Sequence, residues 1–276
     1  MTDFLYLDKR NFLATCGKLA ASMFDPTQTI VIADFDGTFT KKEVLGKKTS
    51  SLMTVLVNDK YLGPAGTKAC QDLFEQYYPI ELDPHLDLME KSRLMREWWL
   101  KTTAVLQQSG VTKQMLLEVC DSPLIAWRDE LLDFLELLRS QRIPLIIFSA
   151  GGFGQLAIEY LLAKAGHFYE QVRVVSNRVV FDERDALVAI AEPLIHIANK
   201  TGAVLVQNQI LSARPAQRQC LLLGDTLEDV QMIEGLDFDL VHKVAFSSHN
   251  LEHFQEKFDL VLPVDASYRQ VIELFA

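Results

Sequence analysis

The chain has 276 residues, and 27 lysines and arginines against 37 aspartates and glutamates give it a formal net charge of −10 at pH 7. The basic residues form no concentrated stripe, so the sequence argues against a nucleic-acid polymer or an anionic membrane surface as a partner. A small phosphate ester remains possible as a ligand, because a metal ion and a few local donors set the field inside a pocket. The length predicts two domains, or one large domain with an insertion.

The four cysteines are spread along the chain and include no Cys-x-x-Cys pair; they are Cys16, Cys70, Cys120 and Cys220. This spacing argues against a zinc site and against a disulfide framework, and reduced thiols are the simplest interpretation. The N-terminus has no basic segment followed by a continuous apolar stretch, and no apolar run approaches transmembrane length. We therefore expect a soluble cytoplasmic protein, with a monomer as the favoured oligomeric state.

The first predicted elements are an amphipathic helix over residues 8–24 and a buried parallel strand that begins at Ile30. The strand leads into Asp34 and Asp36, which flank Phe35 and precede a glycine. Open α/β sheets bind their ligands beyond the carboxyl ends of such strands. Alternation along an extended chain points positions 34 and 36 to the same side, where two carboxylates repel unless a cation or a proton lies between them.

Two simpler interpretations of this segment exist. Aspartate and glycine favour turns without doing any chemistry, and from these residues alone a solvated turn is as well supported as a site. Asp-x-Asp-Gly also begins some calcium-binding loops, but an EF-hand needs a glutamate at the twelfth position. Counted from Asp34, that position is Leu45, so calcium is disfavoured.

Residues 46–121 contain helix-like stretches without strong strand signals, the clearest of them over residues 86–108. From residue 129 the pattern alternates between helices and strands; the predicted helices cover 129–140, 154–165, 201–211 and 227–234, and the predicted strands cover 143–148, 171–176, 219–223 and 239–245. This alternation predicts an α/β fold, with a parallel sheet covered by helices on both faces. We therefore predict a core of residues 1–45 and 122–276, with residues 46–121 as a helical cap inserted after the first strand. Residues 174–181 are predicted to form a small hairpin.

Polar groups follow three further predicted strands or segments. Ser149 and the glycine turn after it can hold phosphate oxygens through a hydroxyl and backbone N–H groups. Asp225 ends another strand, where it can reach a cation held by Asp34, and Asp229 lies in the next helical turn. Helix capping is the simpler explanation for these two acids, and it can coexist with ligation. Lys200 alone would be ordinary solvated surface, but beside Asp34 its ammonium can neutralise a phosphate.

These groups together match phosphoryl transfer through an aspartyl-phosphate, because they include a nucleophilic carboxylate, a proton-transferring carboxylate, ligands for a hard cation and phosphate donors. Hydrolysis of a phosphate monoester is among the slowest uncatalysed reactions, so several cooperating groups are required.

Four segments occur in the order Asp-Phe-Asp-Gly-Thr, Phe-Ser-Ala-Gly, Asn-Lys and Gly-Asp-Thr-Leu-Glu-Asp, and in this the chain resembles the haloacid dehalogenase (HAD) superfamily of phosphohydrolases. Residues 77–84, 95–99, 175–182 and 194–200 further resemble the cytosolic pyrimidine 5′-nucleotidase family, type III, with its 7-methylguanosine-phosphate-specific relatives. The resemblance implies a Rossmann-like core, a helical cap and hydrolysis of nucleoside 5′-monophosphates.

The resemblance also implies a role for each matching residue. Asp34 becomes the nucleophile, and Asp36 becomes the acid that protonates the leaving oxygen and then activates water. The implied cofactor is Mg²⁺, held by the carboxylates of Asp34 and Asp225 and the backbone carbonyl of Asp36. The positions that match phosphate-binding residues are Ser149, Ala150, Gly151 and Lys200, the last also with a catalytic role. The supporting positions are Thr38 and Asp229.

In the predicted cap, Glu81 aligns with a glutamate that contacts the base or the sugar, and Thr102 falls where the family has a serine. Without the resemblance, Glu81 would be interpreted as a solvated acid. Trp98 and Trp99 are adjacent on a predicted helix, and core packing is the default for either. We predict that Trp99 is the one that stacks on a base.

The chain departs from the family pattern near the site. Gly37 stands where the family usually has methionine, the loop over residues 41–54 lacks an Arg-Cys-Pro run, and residues 152–154 replace an Ile-Gly-Asp sequence. These departures leave base selection open. The alternatives are a phosphatase of the same superfamily acting on a sugar phosphate or phosphoserine, a nucleoside phosphotransferase, and a catalytically silent nucleotide-binding module.

Overall fold

The computed structural model describes residues 24–49, 51–59, 61–83 and 85–275. The helix predicted over residues 8–24 falls outside this range except at Phe24, which is not helical. Within the described residues the strands, in chain order, are β1 (Thr29–Ala33), β2 (Glu43–Val44), β3 (Lys47–Lys48), β4 (Leu145–Phe148), β5 (Val172–Val175), β6 (Val179–Phe181), β7 (Leu187–Ile190), β8 (Gln219–Gly224), β9 (Leu240–Phe246) and β10 (Leu260–Leu262).

The helices of the same part of the chain are α1 (Leu52–Asn58), α2 (Gly63–Leu82), α3 (Leu88–Gln108), α4 (Lys113–Cys120), α5 (Leu131–Ser140), α6 (Gly154–Lys164), α7 (Gly202–Gln207), α8 (Leu251–Lys257) and α9 (Arg269–Ile272). Short 3₁₀ helices cover Ile197–Asn199, Leu227–Ile233 and Glu273–Phe275. None of the helices described is both long enough and apolar enough to cross a membrane.

The main sheet contains six of the described strands, all parallel, in the spatial order β10-β9-β8-β1-β4-β5. Strands β4 and β5 follow β1 on one side of it. The chain then crosses to the other side of β1, where it forms β8, β9 and β10. The point at which the direction switches therefore lies between β1 and β8, and ligands of open α/β sheets bind at such a point. The predicted parallel α/β fold is confirmed.

Every residue of β1 is buried, which fits its central place in the sheet. Val31 and Ala33 join the larger apolar cluster on one face, whereas Ile30 and Ile32 join a second cluster on the other. Because alternate side chains enter different clusters, helices cover both faces of the sheet. The carboxyl end of β1 thus opens at the middle of one sheet edge.

Between β1 and α5, the described residues form four helices and the β2–β3 hairpin. Helix α3 matches the prediction over residues 86–108 but begins at Leu88, because the side chain of Asp87 accepts hydrogen bonds from the backbone N–H groups of Met89 and Glu90. The larger apolar cluster includes Leu56, so the inserted helices and the sheet share packing. The division into two domains remains a prediction.

The predicted hairpin over residues 174–181 is wrong. Strand β5 stays in the main sheet, and β6 instead pairs antiparallel with β7, which was not predicted. The polar turn between β5 and β6 leads the chain away, because Asn177 uses its side chain to bind the backbone of Ile195 through two hydrogen bonds of 2.7 and 2.8 Å. Alternation identifies a strand but does not identify its partner.

Other boundaries also differ. Strand β4 starts after Pro144, so Ile143 is not part of it, and α7 is shorter than predicted. The helix predicted over 227–234 is 3₁₀ rather than α.

The β6–β7 hairpin lies against the inserted helices. The backbone N–H of Leu187 donates to the carbonyl of Val111, and that of Lys113 donates to the carbonyl of Asp185, both at 2.9 Å. Arg96 of α3 pairs with Glu192, just after β7, at 2.5 Å. The insertion is therefore attached to the rest of the molecule by this hairpin as well as by its own chain ends.

Candidate active site

Asp34 continues β1 beyond its carboxyl end. Its backbone N–H donates to the carbonyl of Leu223 in β8 at 3.0 Å. Its side chain is buried. Phe35 points away from it into the core and packs edge-on against Trp127, with ring centroids 5.9 Å apart. The turn that follows is closed by the backbone N–H of Phe39, which donates to the carbonyl of Phe35 at 2.8 Å. Phe35 therefore enters the core, as the alternation along the chain predicts.

Lys200 joins the ends of β1 and β8. Its ammonium contacts Asp34 Oδ1 and donates to Asp229 Oδ1 at 2.8 Å. The other oxygen of Asp229 accepts from the backbone N–H groups of Asp225 and Thr226, both at 2.9 Å. Lys200, Asp34, Asp225 and Asp229 are all buried. The structure thus brings together the strand-end residues that the sequence predicted to converge.

Asp34, Lys200, Asp225 and Asp229 together form the strand-end cluster, and their charges do not balance. Burial raises the pKa of Asp34 well above its ordinary value, although Lys200 opposes the shift. Burial likewise raises the pKa of Asp225. Burial on its own would lower the pKa of Lys200, but Asp229 and Asp34 outweigh it, so the ammonium stays charged. Three buried carboxylates face one buried ammonium, and this arrangement favours the entry of a further cation or a proton.

Asp36 lies on the side of the site that faces the inserted helices. Its Oδ1 accepts from the backbone N–H of Leu52, the first residue of α1, at 3.2 Å. Met53 and Phe153 line the same small pocket as Asp36. Burial raises the pKa of Asp36 to about 7. Its carboxyl group can therefore both hold and release a proton near neutral pH.

The turn after β4 lies next to Asp36. Ser149 is buried, and its hydroxyl oxygen accepts from the backbone N–H of Gly151 at 3.1 Å. The carbonyl of Ala150 accepts from the side chain of Asn177 at 3.2 Å. A Cβ added at Gly151 would lie 3.5 Å from Asp36 Oδ2, so this turn and the carboxyl group are neighbours.

Sequence reasoning missed Arg128, which is buried behind the Asp36 turn. Its guanidinium donates to the carbonyl of Thr38 at 2.8 Å and to that of Gly37, and it lies 4.0 Å from the ring centroid of Phe246. Thr38 accepts through its carbonyl, whereas its Oγ1 atom is buried without a hydrogen-bond partner among the described residues. The supporting role of Thr38 stays a prediction. No motif marks Arg128, and only the folded chain shows its contact with the turn.

The inserted helices contribute Trp99 and Glu81 to the same side of the molecule. Trp99 packs on the turn after β4 so closely that a Cβ added at Gly152 would lie 2.5 Å from its Cζ3 atom. Glu81, near the end of α2, is half-buried, and burial, with a contribution from Glu228, raises its pKa to about 7. Thr102 is buried within α3, and the described hydrogen bonds do not connect it with the strand-end cluster.

Trp98 has a different environment from Trp99. Its ring stacks on Tyr77, with centroids 5.9 Å apart, and also contacts Phe74 at 6.1 Å. This packing within the inserted helices agrees with the default expectation for Trp98, whereas Trp99 is the tryptophan that contacts the glycine turn.

The donor set of the strand-end cluster fits a hard divalent cation. One carboxylate oxygen from each of Asp34, Asp225 and Asp229 lies within 4.8 Å of the others, and this is the sole group of this kind in the described part of the chain. An ammonium, that of Lys42, already contacts Asp225 Oδ2. Carboxylate oxygens are the ligands that Mg²⁺ prefers, and a cation is attracted to this point of the site.

The fold is the one found in HAD-family hydrolases. A solved HAD-family hydrolase from Salmonella enterica superposes with a TM-score of 0.61 at 18% identity, covering 91% of this chain and 71% of that one. Cytosolic 5′-nucleotidase IIIB, solved with bound cytidine, gives a TM-score of 0.74 at 23% identity, covering 98% of this chain and 91% of that chain.

The sequence places the chain more narrowly. A model of the pyrimidine 5′-nucleotidase (UMPH-1) family matches residues 37–276. The 7-methylguanosine phosphate-specific 5′-nucleotidase B of Xenopus laevis is 33% identical over 237 residues, which cover 84% of this chain and 81% of that protein. A putative cytosolic 5′-nucleotidase 3 of Caenorhabditis elegans is 32% identical over 245 residues, or 85% of this chain and 65% of the relative. The chain belongs to the pyrimidine 5′-nucleotidase family and is a phosphoric monoester hydrolase.

Proposed function

We propose that the protein hydrolyses nucleoside 5′-monophosphates to nucleoside and phosphate, in a magnesium-dependent reaction that passes through an aspartyl-phosphate on Asp34. One observation carries the proposal: a buried carboxylate at the switch point of the sheet is bound by Lys200, with a second carboxyl group, that of Asp36, in the next turn. The family match begins at residue 37, so the roles proposed for these two aspartates rest on the geometry and on the resemblance of their motif.

Asp34 is arranged to act as the nucleophile. Lys200 binds its Oδ1 atom, which leaves Oδ2 to attack phosphorus. The new P–O bond forms as the bond from phosphorus to the 5′ oxygen of the nucleoside breaks. Asp36 gives its proton to that departing oxygen, since its pKa of about 7 keeps a protonated fraction at neutral pH.

The second half of the reaction restores the enzyme. Asp36, now ionised, takes a proton from a water molecule that attacks the phosphorus of the aspartyl-phosphate. The bond between phosphorus and Asp34 breaks, phosphate leaves, and the carboxylate returns to Lys200. Asp229 positions Lys200 through its 2.8 Å hydrogen bond and is itself oriented by the backbone N–H groups of the β8 turn.

When bound, Mg²⁺ would be held by the carboxylates of Asp34 and Asp225 and the backbone carbonyl of Asp36, and it would neutralise charge on the phosphoryl group. Asp229 is less suited as a ligand, because Lys200 and the turn already use both of its oxygens. The phosphate oxygens would be bound by the Ser149 hydroxyl, backbone N–H groups of the turn after β4, including Ala150 and Gly151, and the Lys200 ammonium.

We infer that the nucleoside part of the substrate contacts the inserted helices, through Trp99 and Glu81, with Thr102 as a further contact. Trp99 lies directly on the glycine turn beside Asp36, which supports its role over that of Trp98. The names of the relatives, a 7-methylguanosine phosphate-specific enzyme and a cytosolic one, support a nucleotide substrate and a cytoplasmic location. A monomer that binds neither nucleic-acid polymers nor membranes completes the proposal.

The test is a panel of phosphate esters assayed for phosphate release after metal removal, with and without added Mg²⁺. The panel contains CMP, UMP, 7-methylguanosine monophosphate, a sugar phosphate and phosphoserine, and we expect the highest kcat/KM with one of the nucleotides and only when Mg²⁺ is present. Preference for a non-nucleotide would refute the assignment of substrate. Acceptor nucleosides added to the assay distinguish a phosphotransferase, which would form new nucleotides.

The covalent step is tested by Asp34→Asn. We expect kcat to fall by about 10⁴-fold or more, as for other covalent nucleophiles, with an unchanged circular dichroism spectrum. Asp133→Asn, at an exposed position of α5, is the matched control and should keep full activity. Turnover retained by Asp34→Asn would contradict the aspartyl-phosphate mechanism.

A further inference from the structure

A second ammonium, that of Lys42, reaches the strand-end cluster from the loop that follows the Asp36 turn. Its Nζ atom contacts Asp225 Oδ2, and its side chain is 33% exposed whereas that of Asp225 is 7% exposed. The backbone around it is well anchored: its N–H donates to Asp265 Oδ1 at 2.7 Å, and its carbonyl accepts from the N–H of Thr49 at 2.8 Å. These hydrogen bonds hold the backbone of Lys42 in place, so that its side chain reaches the cluster.

Gly37 provides the space that this side chain occupies. A Cβ added at Gly37 would clash with Lys42 Cε and would lie 2.7 Å from Asp225 Oδ2. The backbone of Gly37 also has a φ of +76°, a conformation that residues with a side chain rarely adopt. Gly37 and Lys42 thus form a structural pair, because the missing side chain at one position lets the other reach Asp225.

We propose that Lys42 is an internal competitor of the divalent cation for Asp225, and that it sets the metal affinity of the site. This inference rests on the proposed Mg²⁺ site. In their charged forms, the three carboxylates of the cluster and the ammonium groups of Lys200 and Lys42 together carry one net negative charge. A divalent ion that takes Asp225 Oδ2 displaces the Lys42 ammonium, since two cations at the same carboxylate oxygen repel each other.

The two lysines that contact these carboxylates, Lys200 and Lys42, differ in how easily their ammonium groups can move into water. Lys200 is 6% exposed and is bound by two carboxylates, Asp34 and Asp229. Lys42 binds the one carboxylate of Asp225, and a third of its side chain already faces solvent. A flexible four-carbon stem lets its ammonium move into water without any change in the backbone. Lys200 is therefore a permanent part of the cluster, and Lys42 is the exchangeable one.

Removal of the Lys42 charge should tighten metal binding and lower the thermal stability of the metal-free protein. A partly exposed ion pair contributes up to about 1 kcal/mol, so Lys42→Met should lower the Kd for Mg²⁺ by about fivefold. The same variant should have a lower Tm than the natural protein in EDTA, because Asp225 then lacks its counter-charge, and a larger rise in Tm when Mg²⁺ is added.

The experiment is calorimetric titration of the full-length, metal-stripped protein with MgCl₂, together with thermal unfolding in EDTA and in excess Mg²⁺. The variants are Lys42→Met, Lys42→Gln as a second neutral replacement, and Lys42→Arg, which keeps the charge. Lys41→Met is the matched control, because the neighbouring Lys41 pairs with Asp129, which is 67% exposed, outside the cluster. Both neutral variants at position 42 should bind Mg²⁺ more tightly, and the other two should resemble the natural protein.

Asp225→Asn separates failure of this inference from failure of the proposed function. If the natural protein binds Mg²⁺ and Asp225→Asn does not, while Lys42→Met and Lys42→Gln bind with unchanged or weaker affinity, the competitor role is overturned and the metal site stands. If neither the natural protein nor the neutral variants bind Mg²⁺, the metal site and the competitor role both fall.

Discussion

The strand-end cluster and the inserted helices are built by different interactions. In the cluster, buried charged groups from separate strands and turns bind one another, so that Lys200 contacts both Asp34 and Asp229. In the helices, flat rings stack along the surface, and the outermost of them, Phe74 and Tyr78, are 49% and 39% exposed. The difference teaches that each charged group of the cluster is held in position by several partners, whereas the rings of the inserted helices are held by their contact area.

The two kinds of interaction respond differently to substitution. Removing one partner from a buried ionic cluster leaves an uncompensated charge, which is expensive. Removing one ring from a stack loses area and dispersion in proportion to what is removed. Substitutions in the cluster should therefore cause large losses of both stability and activity. A substitution among the aromatic rings should reduce either stability or activity, but not both.

The largest effect on this comparison is expected from Lys200→Met. Without the ammonium, three buried carboxylates repel one another, so the free energy of unfolding should fall by about 3–5 kcal/mol and turnover should be lost. Urea unfolding and phosphate release measure the two losses. Lys164→Met, which breaks an ion pair of Lys164 with Asp121 at the surface, is the control and should cause a much smaller loss of stability. A loss of similar size in both variants would contradict the large contribution of the buried Lys200 ammonium to stability.

Arg128→Lys should have the next largest effect. A lysine cannot bind the carbonyls of Gly37, Thr38 and Ala266 at once, and a buried carbonyl left without a partner costs about 1–3 kcal/mol. We expect a destabilisation of about 2 kcal/mol and, because the Asp36 turn loosens, a kcat about tenfold lower. KM should change little, and equal losses in kcat and binding would argue against a positioning role. Arg139→Lys, at an exposed position of α5, is the matched control.

Trp99→Leu and Trp98→Leu should divide recognition from packing. Loss of the Trp99 ring should raise KM for a nucleoside monophosphate by about tenfold, because ring stacking contributes about 1 kcal/mol in addition to its area. Loss of Trp98 should instead lower the free energy of unfolding by about 2 kcal/mol, since its ring packs among Tyr77 and Phe74. Steady-state kinetics and thermal unfolding of both variants provide the measurements. The reverse pattern would assign recognition to Trp98.

The smallest effect should come from the pH dependence of Glu81. Burial raises its pKa in the folded state to about 7, so its contribution to stability is present below about pH 4.5 and is lost as the pH rises through 7. In the proposed contact with a base, ionised Glu81 is the stronger hydrogen-bond acceptor, so KM should rise by about threefold as the pH falls from 8 to 6. Glu81→Gln should remove that part of the KM profile and flatten the stability profile, and an unchanged KM profile would exclude this role.

The parts of the molecule that were predicted from sequence have local signals. An apolar run followed by Asp34, Phe35 and Asp36 specifies both a strand and the side to which its last residues point, and the parallel sheet follows from regular alternation after residue 129. The convergence of Asp225 on Asp34 then follows, because parallel strands end at the same edge of a sheet. Lys200 follows a 3₁₀ helix and not a strand of this sheet, so its contact with Asp34 does not follow from the sheet alone.

The parts that were missed depend on tertiary placement. Nothing near Asn177 in the sequence shows that its side chain binds Ile195 and turns the chain away from β5, so β6 was given the wrong partner. Arg128 has no motif, because its partners are backbone carbonyls that any sequence provides. The contact of Lys42 with Asp225 depends on the absence of a side chain at Gly37, and such a pair is visible only in three dimensions.

The β6–β7 hairpin has a consequence for protein engineering. Its backbone hydrogen bonds to Val111 and Lys113, and the pairing of Arg96 with Glu192, join the inserted helices to the segment that leads to Lys200. Residues 46–121 are therefore not a self-contained module for transplantation between relatives. The smallest portable unit that keeps these contacts also carries residues 179–192, and recombination experiments that aim to exchange base preference need both pieces from the same parent.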